Sequence, residues 1–237
     1  MTSPTILLLE SSTDTLSVAL CRNGKVAAAR EKAATRDHAA LLLTFVDEVM
    51  RDSGLRPAGV DAVAVSKGPG SYTGLRIGVS SAKGLCYALD KPLIAVSPLQ
   101  ALAMEAARSF DTDTAARALF CPMTDAGRME VYAGLYTGTG DIVRDVQADI
   151  VTPESYAEYL VSPGQKLYFL GNGAEKCRAV LGQRPDMLFL PGWEPNARYM
   201  AIPATRAYLD GTFEDTAYFV PFYLKDFVAG KPHVKGL

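Results

Sequence analysis

The sequence predicts a duplicated α/β fold, in which each half opens with hairpin-linked strands and continues with alternating helix and strand. Three observations predict it. The continuous apolar run Ile6-Leu7-Leu8-Leu9 reads as a central strand with both faces covered. Asn23-Gly24, set between two apolar runs, reads as a tight hairpin, because both turn positions favour positive φ. After a polar stretch over 108–116, hairpin-linked strands begin again at Leu119.

Each element follows in order. Leu16, Val18 and Leu20 alternate with smaller residues and give a second strand; 26–30 gives a third. A helix follows, with Asp37 as expected N-cap and Gly54 as expected C-terminal stop. Within it Leu41, Leu42, Phe45, Val46, Val49 and Met50 form one wide apolar stripe. A strand over 62–66, a glycine turn and a proline-free helix over 73–89 come next, then a buried strand over 92–96. Ser97-Pro98 opens another helix, with proline at its first position. In the second half, strands are expected over 119–124, 131–136 and 142–151, and a helix capped by Thr152-Pro153 runs to Val161. A strand over 167–170 meets Gly171-Asn172-Gly173, which opens the next helix, and a last helix covers 197–209. The expected division is 1–110 and 111–237, with a ligand cleft between the halves at the carboxyl ends of the strands.

The segment Lys67-Gly68-Pro69-Gly70-Ser71-Tyr72-Thr73-Gly74 joins a buried strand to a helix through an unusually tight turn. Free N–H groups at such a helix start suit an anion. The helix itself carries Gly74, Gly78, Ser81, Ala82, Gly84 and Ala88. Each interior glycine costs about 0.5–1 kcal/mol relative to alanine, so something must approach closely. Three readings stay open here: packing of helix on sheet, a close contact with a partner helix, and an anion over the turn.

The 237 residues are 49% hydrophobic and 21% charged, with a net charge of −2, which gives no basic face of the kind that grips nucleic acid alone. Only the tail Lys225, Lys231, His233 and Lys235 is locally basic. Cys21, Cys86, Cys121 and Cys177 have neither metal-ligand spacing nor a disulfide framework. A cytoplasmic location is expected, with no secretory signal and no membrane-length apolar run.

The residues also carry a family resemblance. The opening 6–13 resembles that of the ASKHA superfamily (actin, Hsp70, sugar kinases). Residues 65–78, Val-Ser-Lys-Gly-Pro-Gly-Ser-Tyr-Thr-Gly-Leu-Arg-Ile-Gly, resemble the signature of the TsaB (YeaZ) family. The match continues through 95–99 and 125–132, and ends at Tyr223-Leu224-Lys225. The resemblance implies an ASKHA fold of two duplicated subdomains, the second shortened. It implies a non-catalytic subunit that pairs with the transferase TsaD, joined by the ATPase TsaE. That complex moves a threonylcarbamoyl group onto the adenosine next to the anticodon of certain tRNAs. Contact with tRNA would come only through the complex, and a homodimer is an alternative state of the isolated chain. No cofactor is required; ATP or ADP with Mg²⁺ would bind only weakly or at the complex interface.

The residues agree on missing chemistry. The resemblance places a metal-binding histidine pair one helical turn apart in TsaD; here His38 is followed four residues on by Leu42. No serine sits in a G-x-S-x-G elbow. No catalytic or metal residue is therefore expected. The partner surface is placed on helices 38–52 and 73–89, at His38, Leu42, Phe45, Val49, Ile77, Ser81, Lys83 and Leu85. Weak nucleotide or phosphate contact is placed at Glu10, Ser11, Ser12, Gly70, Thr73, Gly171 and Gly173. The competing reading is an autonomous ATP-dependent phosphotransferase or M22-type peptidase that uses Glu10.

Overall fold

The computed structural model describes residues 4–225. The first half builds β1 (Thr5–Glu10), β2 (Leu16–Arg22), β3 (Lys25–Lys32), α1 (His38–Asp52), β4 (Ala62–Ser66), α2 (Tyr72–Leu89) and β5 (Leu93–Val96). α3 (Pro98–Ala107) and α4 (Thr112–Arg117) lead to β6 (Ala118–Asp125), β7 (Glu130–Thr137), β8 (Ile142–Ile150), β9 (Lys166–Leu170), α5 (Arg178–Leu181), β10 (Met187–Phe189) and α6 (Ala201–Leu209).

The two sheets repeat one plan. The first has the order β3-β2-β1-β4-β5 and the second β8-β7-β6-β9-β10. In each, the first three strands are antiparallel and the last two run parallel to the central one. The expected duplication of one α/β unit is the architecture observed.

Alternate residues of β1 show why both faces read as apolar. Leu7 and Leu9 pack under α1 and α2, whereas Ile6 and Leu8 face Ala101 of α3 and Met200, Ala201 and Ala204. α3 lies between the two sheets and also buries Leu99, Leu102 and Ala106 against Phe120 and Tyr136. That two-sided duty explains a helix that is apolar almost all round. The last helix, placed with the second half by the sequence division at 110/111, thus packs on the first sheet.

Several expectations need correction. Asp37 makes no side-chain cap for α1. The polar stretch 108–116 folds into α4, because Asp111 caps it through the Thr114 N–H (2.9 Å). The helix expected over 152–161 is only a 3₁₀ turn at Ala157–Tyr159. Tyr156 takes φ +68, which an α-helix cannot contain. Its side chain turns inward onto Phe169, with its hydroxyl donating to Asp149 (2.8 Å). β10 was not anticipated.

Candidate functional site

The crevice between the halves is built from two strand-to-helix turns. In the first half, β4 enters the glycine turn, whose Gly68–Pro69 bond is cis. Ser71 caps α2 by accepting from the Gly74 N–H (3.3 Å), and its own N–H donates to the Ser12 carbonyl (2.7 Å). The glycines make this approach sterically feasible. A Cβ on Gly70 would overlap the Ser12 carbonyl oxygen; on Gly74, the Ser11 carbonyl oxygen; on Gly78, the Ser11 hydroxyl. The small residues at the start of α2 therefore serve helix-on-turn packing within the chain.

Glu10 ends β1 and is fully buried. Its Oε1 accepts from the Ser12 N–H (2.6 Å), and its Oε2 has no partner. Burial pushes its carboxyl above the ordinary value, and hydrogen bonds from Ser12 oppose this only in part. Ser11 and Ser12 are buried as well, while Thr73 is exposed on α2. At this turn Gly70 and Gly74 bear on the carbonyl oxygens of Ser12 and Ser11, and the Glu10 carboxyl is sealed from solvent. The expected phosphate-contact residues Glu10, Ser11, Ser12 and Gly70 thus lie together around this turn, with Thr73 on the exposed start of α2.

The second half repeats the device. Gly171, at φ +96, lies against Met123, and Gly173 lies against Thr124 and Asp125; its N–H donates to the Met123 carbonyl (3.0 Å). Asn172 Oδ1 accepts from the Asp125 N–H (3.1 Å). Both glycines thus serve a strand-to-strand turn contact. Among the described residues, the buried side-chain atoms without a partner are Glu10 Oε2, Ser12 Oγ and Thr124 Oγ1, all near the carboxyl ends of β1 and β6. Orphaned polar atoms mark a place where satisfied structure was not the only constraint.

A hollow of about 300 Å³ lies between these turns, lined by Pro69, Tyr72, Asp125, Tyr132, Tyr223 and Lys225. Tyr223 packs on Tyr72 with ring centres 5.1 Å apart. Lys225 pairs with Glu130 and stands over the Tyr132 ring. The rest of the basic tail, Lys231, His233 and Lys235, lies outside the described residues.

The expected partner surface divides in two. His38, Leu42, Phe45 and Val49 are buried against the chain's own sheet, so they are core residues rather than contacts. His38 sits at the start of α1, and its Nε2–H donates to the Thr13 carbonyl (2.9 Å). Ile77 and Leu85 are half-buried and pack on the same core, and Ser81 is half-buried. Lys83 is committed within the chain: its ammonium donates to the Ala217 carbonyl (3.0 Å) and the Phe219 carbonyl (3.2 Å). The outward face is made of Ala39, Ala40 and Leu43 on α1 and Ser80, Gly84 and Tyr87 on α2, of which the sequence reading singled out only Gly84, as a small residue open to a partner helix. Leu43 is 55% exposed and Tyr87 89%. Gly84 meets nothing within 4 Å. At about 100° per residue, Thr73, Ser80 and Gly84 fall within about 40° of one another on α2. The signal was present as the complement of the apolar stripe.

Among the described residues, no three His, Cys, Asp or Glu side chains converge as metal ligands, and no helix is long and apolar enough to cross a membrane.

Comparison with known proteins matches this geometry to a family. The family model for TsaD, tRNA N6-adenosine threonylcarbamoyltransferase, matches residues 31–229. The tRNA threonylcarbamoyladenosine biosynthesis protein TsaB of Bacillus subtilis (strain 168) is 33% identical over 225 residues, covering 93% of this chain and 94% of that relative. The TsaB protein of Haemophilus influenzae (strain ATCC 51907 / DSM 11121 / KW20 / Rd) is 32% identical over 243 residues, covering 98% of each. A solved structure, YeaZ from Pseudomonas aeruginosa, has the same fold at a TM-score of 0.77 and 29% identity, covering 93% of this chain and all of that one. With the signature turn, the doubled sheets and near-complete coverage in agreement, the chain belongs to the TsaB (YeaZ) family of tRNA threonylcarbamoyladenosine biosynthesis proteins.

Proposed function

We propose that this chain is the non-catalytic partner of a TsaD-type transferase in tRNA threonylcarbamoyladenosine biosynthesis, and that it docks through the outward face of α1 and α2. TsaE completes the assembly as its ATPase, and tRNA meets this chain only through the complex. The observation that carries the reading is the closed first turn. The glycines that would admit a phosphate admit Ser11 and Ser12 of the same chain instead, with Glu10 sealed beneath. A scaffold whose first turn is packed by its own serines has its helix surface left to offer.

The surface suits docking. α1 and α2 lie side by side on the first sheet, and α2, at 18 residues, is about 27 Å long. Its outer line of Thr73, Ser80 and Gly84 is low enough for a partner helix to approach closely, with Leu43 and Tyr87 as apolar anchors. A stable interface buries about 1,600 Å² in total, so such a footprint needs most of both helices. The test is co-elution with the TsaD-type subunit of the same organism in size-exclusion chromatography with light scattering. A one-to-one complex is expected for the wild-type chain, and loss of it for Gly84→Trp. A complex that forms equally well with Gly84→Trp would refute docking on this face.

A further inference from the structure

After α6 the chain returns over the first half as a strap, 213–225, which makes one turn at 215–219, where the Phe219 N–H donates to the Asp215 carbonyl (2.8 Å). It lies along one flank of α2 and runs in the opposite direction. Thr216 and Tyr87 line one hollow at the C-terminal end of the helix. Lys83, midway, holds the Ala217 and Phe219 carbonyls. Tyr223 packs on Tyr72 in the first turn of α2. The strap is also fixed to the sheet edge and the glycine turn, where the Glu214 N–H donates to the Leu93 carbonyl (2.9 Å) and the Phe222 N–H to the Lys67 carbonyl (2.7 Å).

Its side chains alternate. Phe219 packs on the core under α2 and Pro221 is buried, while Tyr218 (83% exposed) and Val220 (67%) point out. A strap whose Tyr218 and Val220 stand out beside the open Ser80 and Gly84 surface forms a wall rather than a loose end. α1 bounds α2 on the other side. The helix Cβ directions place Lys83, Tyr72 and Arg76 toward the strap and Ile77, Ser81 and Leu85 toward α1, with Ser80 and Gly84 as the floor between.

Resting on the docking reading above, we infer that the strap is the second wall of the groove that receives the TsaD-type partner, and that Lys83 is its positioning residue. The partner is the occupant because the strap is continuous along α2 with the face assigned to it. Lys83 acts through the Ala217 and Phe219 carbonyls, setting how far Tyr218 and Val220 stand from the Gly84 floor. Removing its ammonium loosens the middle of the strap, which the Glu214 and Phe222 backbone bonds still hold on either side, and alters no residue assigned to the partner's contact.

The test combines hydrogen exchange on the full chain with calorimetric titration against the TsaD-type subunit. Lys83→Met is expected to speed exchange at the Phe219 and Phe222 amides and to weaken binding about tenfold. Lys83→Arg, which can still donate to two carbonyls, is expected to restore both. Faster exchange with unchanged affinity, or no change in exchange, overturns the inference. If Lys83→Met does not fold, the double variant Tyr218→Ser with Val220→Ser decides, since it alters only outward side chains: unchanged affinity overturns the inference, and weaker affinity upholds it. Gly84→Trp separates the two ideas. If it weakens binding while the strap variants do not, docking on α2 stands and the strap's part in it falls. If it also leaves binding intact, the docking reading falls with it.

Discussion

The spacing between α2 and the first turn is set at Gly74 and Gly78 by the absence of a Cβ. Alanine at Gly74 would drive a methyl group into the Ser11 carbonyl, which the backbone cannot yield without moving β1. Gly74→Ala is expected to lower stability by about 1–3 kcal/mol in urea unfolding. Gly84→Ala, on an open surface of the same helix, is expected to raise it by about 0.5–1 kcal/mol. Equal effects at the two positions would contradict this account of the glycines. Glu10 gives a prediction of pH dependence. Burial makes the folded chain hold the Glu10 proton to higher pH than the unfolded chain does. Its contribution is therefore fully present below the unfolded value of 4.5 and is lost as pH rises through the raised folded value. Glu10→Gln, which keeps the shape and cannot ionise, is expected to flatten the fall of Tm with rising pH. Parallel melting curves for variant and wild type across that range would remove Glu10 from the explanation.

At the scale of elements, α1 shows two adjacent leucines with opposite duties. Leu42 is buried under the first sheet, and Leu43 faces out. Leu42→Ala is expected to cost about 2–5 kcal/mol. Leu43→Ser should stay within about 0.5 kcal/mol of wild type in the same melts, yet weaken partner binding. The apolar stripe of α1 was legible as a helix face, but its orientation was not. A stripe has the same period whether it meets a sheet or a partner, and only β2 and β4, brought in by the fold, decide that it is internal. The segment after β8 failed for a related reason. Thr152-Pro153 is a sound cap signal, but the carboxylate of Asp149, gripped by Arg144 (2.5 and 2.9 Å), draws the Tyr156 hydroxyl inward and breaks the helix. Asp149→Ala removes the carboxylate that half-buried Arg144 and buried Tyr156 share and is expected to cost on the order of 3 kcal/mol, measured by denaturant unfolding.

For the whole molecule, the duplication was readable because each half writes the same signals in the same order: apolar central strand, hairpin turn, glycine turn. The candidate site was less so. Gly70, Gly74, Gly171 and Gly173 announce close approach, but a sequence does not say whether the approaching atoms belong to a phosphate or to the chain's own serines. Lys83 illustrates the same limit, since its partners lie more than 130 residues away on a strap without regular secondary structure. The assembled picture is a doubled α/β scaffold whose first turn is packed by its own serines, with the proposed partner groove along its first two helices. Its most direct test is reconstituted tRNA modification. Purified chain, TsaD-type transferase, TsaE-type ATPase, tRNA and threonylcarbamoyl adenylate are combined, and modified adenosine is counted with each protein omitted in turn. The account predicts no product from this chain alone, product with the full set, undiminished product with Glu10→Gln, and loss of product when the chain is omitted or carries Gly84→Trp. Full-rate modification without the chain, or turnover by the chain alone that Glu10→Gln abolishes, would contradict it.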